Sequence, residues 1–127
     1  MISKVPDANN KSNIAEFFAE KSVFITGGTG FLGRVLISKL LSSVPKIGTI
    51  YVLVRGNKKG TPEERMNNIL LHGKDFEVIR NNDPSAIGKV KVIRGDISES
   101  NLGISEESRA TLISKVKIVF HSAATVR

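Results

Sequence analysis

A parallel α/β sheet covered by helices is the fold this sequence predicts, on three observations. Short β-branched runs alternate with helix-length apolar patterns along nearly the whole chain. Runs such as YVLV at 51–54 are apolar at consecutive positions, as a strand buried on both faces requires. And in KSVFITGGTGFLGRVLISKL (21–40), regularly spaced glycines join the first such run directly to the helix behind it. Strand, helix, strand, helix, strand, helix, strand is the order of a sheet built by crossover connections.

The elements follow in chain order. SNIAEFFAEK (12–21) reads as a short leading helix packing Ile14, Phe17 and Phe18. SVFIT (22–26) is the first strand, and FLGRVLISKLLSSV (31–44) a helix closed by Pro45. TIYVLVR (49–55) is a second buried strand ending in Arg55. The next helix, over 61–81, has Thr61 as N-cap, Pro62 at the first helical position and Glu63 and Glu64 in the first turn. Gly73 interrupts it. KVKVIRGD (89–96) is the third strand, and SEESRATLISKV (105–116) a helix opened by Ser105, with Ser108 where a full capping box needs a Glu. KIVFHSAA (117–124) is the fourth strand. The whole, residues 1–127, reads as the amino-terminal part of a Rossmann-type doubly wound parallel sheet, incomplete after its first four strands. An unpaired sheet edge and an uncovered apolar face are expected to leave it marginally stable.

Composition excludes several classes of function. With 127 residues, 40% apolar and 24% charged, the chain is one small globular unit, and no stretch approaches the roughly 18–20 apolar residues of a membrane span. The first twenty residues lack a signal-peptide core, and without cysteine there is no disulfide framework, thiolate nucleophile or thiolate metal site. A soluble, cytoplasmic chain is the expectation. The net charge of +7 favours anionic partners, but the basic residues are scattered, RGNKKG (55–60) is their only tight cluster, and no aromatic platform accompanies them. Nucleic acid is therefore not expected as a partner, and no membrane contact is expected from these residues.

The glycine turn is the chemical centre. Gly28, Gly30 and Gly33 satisfy G-x-G-x-x-G, and Gly27, Gly30 and Gly33 the longer G-x-x-G-x-x-G, both at a strand-to-helix junction. One glycine permits the tight turn, one lets a diphosphate approach the backbone, and one lets helix and sheet pack closely. A triphosphate-binding loop is disfavoured, because Arg34 and Val35 follow Gly33 where a Lys and a hydroxyl are needed. At the end of the second strand, a carboxylate would hold the two ribose hydroxyls of NAD. Arg55 stands there instead, suited to the 2′-phosphate of NADPH. Asp96 is placed to accept from the adenine amino group with Ile97 beside the ring, or else to serve the turn after the third strand. Ala123 and Ala124 are small enough to let backbone pass the cofactor ribose. His121 is expected as a buried, hydrogen-bonded strand residue and His72 as a surface residue at a helix break. No catalytic or metal-binding set is assigned.

Together VFITGGTGFLG, IYVLVRGNKKG, ERMNNIL, GDISESNLGIS and VFHSAATVR, in this order and spacing, resemble the amino-terminal part of the alcohol-forming fatty acyl-CoA reductases. These belong to the extended short-chain dehydrogenase/reductase superfamily. The resemblance runs from about Ile14 to Arg127 and is most particular in YVLVR with KKG and in SAATVR. It implies NADPH-dependent, four-electron reduction of a long-chain acyl-CoA to an alcohol and free CoA. It also implies a parent protein on the cytosolic face of a peroxisomal or endoplasmic reticulum membrane. By matching position it assigns Gly27, Gly30, Phe31, Leu32 and Gly33 to the pyrophosphate, Arg55 to the 2′-phosphate, Asp96 and Ile97 to adenine, and Ala123 and Ala124 to ribose.

One departure matters. The superfamily's Y-x-x-x-K pair is missing: the sole tyrosine is Tyr51, followed four residues later by Arg55. The chain is thus expected to end before the catalytic Tyr and Lys. Two alternatives are a non-catalytic NADPH-binding module and part of a related reductase acting on carrier-bound thioesters. Residues 1–127 are expected to show no turnover in a coupled assay with NADPH and palmitoyl-CoA; measurable alcohol formation would contradict the missing-pair argument.

Overall fold

The computed structural model describes residues 10–58 and 60–121. Helix α1 (Asn10–Phe18) precedes β1 (Ser22–Thr26), α2 (Phe31–Ser43), β2 (Ile50–Val54), α3 (Pro62–His72), α4 (Glu77–Asn82), β3 (Val90–Arg94), α5 (Glu106–Lys115) and β4 (Val116–His121). Short 3-10 turns fill the gaps at Lys74–Phe76, Pro84–Lys89 and Ser100–Gly103. The sheet is parallel with strand order β3-β2-β1-β4. Since crossovers between parallel strands are right-handed, the walk from β1 to β3 puts its helices on one face, and the return to β4 puts α5 on the other.

Side-chain alternation confirms the two faces. Val23, Ile25, Ile50, Val52 and Val54 meet Ile37, Leu40 and Leu41 of α2, Met66 and Leu70 of α3 and Ile79 of α4 in the larger core. Phe24, Tyr51, Leu53 and Ile93 point the other way, against Leu102, Ile104, Leu112 of α5 and Val116. Val116 and Ile118 lie on opposite faces although two apart, because the β1–β4 register slips between Ser22 and Val23. One extra residue in a ladder inverts the side chains that follow it.

Local chemistry sets the helix ends. Thr61 Oγ1 accepts from the Glu64 amide and Glu64 Oε1 accepts from the Thr61 amide, a complete capping box. Ser105 accepts from the Ser108 amide, the expected half box. Gly73 splits the expected 61–81 helix into α3, a 3-10 turn and α4, and the break lets Phe76 turn fully inward. Arg80 then donates to the Leu70 and Gly73 carbonyls at 2.9 and 2.8 Å, covering the end of α3. Arg94 and Glu63 pair through two contacts of 3.0 and 2.8 Å, tying β3 to α3.

Three expectations are corrected. Of the three apolar residues expected to pack, only Phe18 meets the core, stacked on Phe120 at 6.2 Å; Ile14 and Phe17 are exposed, Phe17 lying beneath the Lys21 ammonium. The α5 face is covered over β1, β2 and β3, where Phe24, Tyr51, Leu53 and Ile93 are all buried, and the expected bare apolar surface is narrowed to the edge strand β4, where Val119 is exposed. Arg55 lies in the open just past β2. Among the described residues no helix is long and apolar enough to cross a membrane.

Phe76 holds the α3–α4 break against the sheet. Phe76→Ala is expected to cost about 3–5 kcal/mol of unfolding free energy, measured as a lowered midpoint in urea titration.

Candidate dinucleotide site

Thr26 ends β1 fully buried, and the chain then turns through Gly27 at φ 78, a left-handed conformation that glycine adopts without strain. At Gly28 an added Cβ would lie 2.2 Å from Val52 Cγ1, and at Gly33 only 2.1 Å from the Gly27 carbonyl oxygen. Both positions must be glycine for the turn to sit on β2 and for α2 to sit on the turn. Gly30 differs. Its Cβ would meet nothing closer than the Gly27 oxygen at 3.5 Å, ordinary contact. Internal packing therefore leaves room for a side chain at Gly30, and its absence keeps the face of the turn open to a ligand.

The start of α2 is open in a second sense. A helix leaves its first amides without intrahelical partners. Helices α3 and α5 satisfy some of theirs with Thr61 and Ser105 and carry Glu63, Glu64, Glu106 and Glu107 in their first turns. Helix α2 has Gly30 as N-cap, no side-chain cap bond and no acidic residue in its first turn. The amides of Phe31, Leu32 and Gly33 and the positive end of the helix dipole thus remain for an outside anion, with the Phe31 and Leu32 side chains directed to solvent.

Neighbouring strand ends complete the site. Because the strands are parallel and in register, Thr26 pairing with Leu53 and Val54 with Arg94, the residues after β1, β2 and β3 emerge along one edge. Arg55 emerges there, and Arg65 of α3 donates from its guanidinium to the Arg55 carbonyl. Arg65 had no signal in the sequence, since ten residues of helix and loop separate it from Arg55. Asp96 Oδ1 accepts from the Ser98 amide at 2.9 Å and the Ser98 hydroxyl at 2.7 Å, so the turn role is present. The Ser98 bonds, with the Arg55 charge adding to them, hold the Asp96 carboxyl below its ordinary range. Ile97 is exposed beside it. Arg94, the other strand-end arginine, is occupied by Glu63.

At the crevice where strand order reverses, Thr26 Oγ1 and His121 Nδ1 are 2.8 Å apart, joining the ends of β1 and β4. His121 is hydrogen-bonded as expected but exposed rather than buried, at the end of the edge strand β4. His72 is exposed in the last turn of α3, and Arg34 of α2 pairs with Asp75 at 3.4 Å. Ala123 and Ala124 lie outside the described residues. Among the described residues no cluster of His, Cys, Asp or Glu could hold a metal ion.

A glycine-lined turn and open helix end at the switch point of a 3-2-1-4 parallel sheet define a dinucleotide-binding α/β domain. The sequence profile of an NAD-binding family described as male sterility protein matches residues 25–127, and the chain belongs to this family. It is 43% identical over 115 residues to fatty acyl-CoA reductase 1 of Homo sapiens and 42% identical over 116 residues to fatty acyl-CoA reductase 2 of Mus musculus. In each case it covers 91% of this chain but 22% of the relative, so the chain spans about a fifth of their length. Among solved structures, the terminal R domain of the myxalamid PKS-NRPS biosynthetic pathway matches with a TM-score of 0.64 and 31% identity, over 86% of this chain and 26% of that one. The family and the reductase resemblance expected from the motifs are thus found.

Glu63, lowered chiefly by its hydrogen bond from Arg94, and Asp96, lowered chiefly by the Ser98 amide, are both depressed in the fold. Their stabilisation is fully present above the ordinary carboxylate range, about pH 4, and is lost as pH falls through the depressed values. Thermal melts from neutral pH downward should show this loss, with a shallower slope in the Glu63→Gln, Asp96→Asn double variant.

Proposed function

We propose that this chain is the cofactor-binding part of an NADPH-dependent fatty acyl-CoA reductase. The observation that carries the proposal is the uncapped start of α2 over a turn whose Gly30 is open, with Arg55 at the adjoining strand end and no carboxylate in RGNKKG. The turn tests well against the group: main-chain amides and a dipole of the right sign meet a diphosphate, and a guanidinium meets a third phosphate.

In this assignment Gly27, Gly30, Phe31, Leu32 and Gly33 hold the diphosphate through their backbone. Arg55 binds the 2′-phosphate, and Arg65 steadies the Arg55 main chain. Asp96 and Ile97 receive the adenine, and Ala123 and Ala124 pass beside the ribose. Thr26 and His121 hold the ends of β1 and β4 together beneath the bound molecule. When bound, the nicotinamide supplies hydride to an acyl group. The acyl-CoA substrate is supported by the names of the reductase relatives; the alcohol product and the parent's membrane association at peroxisome or endoplasmic reticulum rest on the motif resemblance alone. The greater identity to acyl-CoA reductases, 43% against 31% for the PKS-NRPS domain, favours CoA over a carrier protein as the thioester partner.

Calorimetric titration tests the cofactor assignment. NADPH is expected to bind more tightly than NADH, and Arg55→Ala to remove about 1.5–3 kcal/mol of NADPH binding, the worth of hydrogen bonds to a charged group, with little effect on NADH. Equal affinity for both coenzymes in the unmodified chain would sink it.

A further inference from the structure

The segment leaving β3 closes on itself. The Asp96 amide donates to the Leu102 carbonyl at 2.7 Å, the Glu99 amide to the Asp96 carbonyl at 2.9 Å, and the Leu102 amide to the Glu99 carbonyl at 3.0 Å. Asn101 and Leu102 both stand in the left-handed region, at φ 53 and 59, with Gly103 following at φ 61. Asparagine and glycine enter that region readily, whereas a leucine there is strained.

The Leu102 side chain accounts for its persistence. It packs into the smaller core with Phe24, Tyr51, Leu53 and Ile93, so burial opposes the backbone cost. The left-handed turn aims the Leu102 carbonyl back over the root of the loop. There an added Cβ on Gly95 would lie 2.4 Å from that oxygen and 2.5 Å from Leu53 Cδ1. Gly95 is glycine because the returning strand of the loop lies directly on it. A right-handed Leu102 would rotate its peptide plane and release the Asp96 amide.

We infer that Leu102 is the positioning residue of the adenine end of the site: anchored in the core, it latches the Gly95–Ile97 backbone in one conformation through the Asp96 amide. The inference rests on the assignment of Asp96 and Ile97 to adenine. Leu102 acts through Asp96 and not by contact with the ligand. A latched loop is already in the binding conformation, so its loss lowers affinity by the fraction of molecules still latched.

The probe is adenosine 2′,5′-bisphosphate, which carries adenine and the 2′-phosphate without nicotinamide, titrated calorimetrically into the chain. Leu102→Ala is expected to weaken binding about tenfold, as when roughly a tenth of the loops remain latched; Leu102→Met, which keeps an apolar anchor, is expected to restore it. Leu112→Ala removes packing from the same core outside the loop, and should lower the melting temperature while leaving affinity near that of the unmodified chain. If Leu102→Ala does not fold, Gly103→Ala, which strains the same turn at φ 61 from its exposed side, should show the same weakening. Undiminished binding by the Leu102 or Gly103 variant, or an equal loss in Leu112→Ala, overturns the latch. An unmodified chain that binds NADPH but not the bisphosphate overturns the adenine assignment and the latch with it, whereas one that binds neither overturns the cofactor assignment itself.

Discussion

The approach of α2 to the turn before it is the constraint on which the site depends. Gly33 comes so near the Gly27 carbonyl that no β-carbon fits between them, and Gly28 is pressed as closely on Val52. These contacts lock the first turn of the helix onto the end of β1. The amides of Phe31, Leu32 and Gly33 are consequently held in a fixed direction before any ligand arrives. Preorganised donors bind an anion without the cost of ordering a loop.

Charge is distributed to the same end. Capping side chains and first-turn glutamates quiet the amino ends of α3 and α5, while that of α2 is left bare. Of the two arginines just at or past the ends of β2 and β3, Arg94 is held by Glu63, and Arg55 carries a charge that reaches Asp96. The edge of the sheet therefore offers an anion two separate places, one made of backbone and one of a side chain, and in the proposed assignment it is their separation by a single strand that tells one dinucleotide phosphate from another.

Much of this was legible in the sequence because it is local. The strand positions follow from consecutive β-branched residues, the start of α3 from Thr61, Pro62 and Glu64 within four positions, and the glycine turn from glycine spacing at a strand-to-helix junction. Errors arose where a neighbour distant in sequence decides the outcome. Phe17 and Phe18 are equivalent to a pattern reader, yet only Phe18 meets Phe120, which lies about a hundred residues away. His121 belongs to an apolar run, but its strand is one of the two edges of the sheet, and the expected burial fails. The support given to Arg55 by Arg65 and the return of Leu102 to Asp96 depend on loop paths that no periodicity encodes.

The sequence by itself determined the elements, the parallel α/β class, the glycine turn and the family, since each rests on short-range stereochemistry: β-carbon clashes, capping hydrogen bonds and the period of apolar side chains. Only the tertiary structure decided which glycine is left open and which face a neighbour, which arginine is paired with Glu63 and which lies near Asp96, and why a leucine stays left-handed. Those depend on what stands opposite each group in space, and sequence spacing carries no record of it once a crossover has intervened.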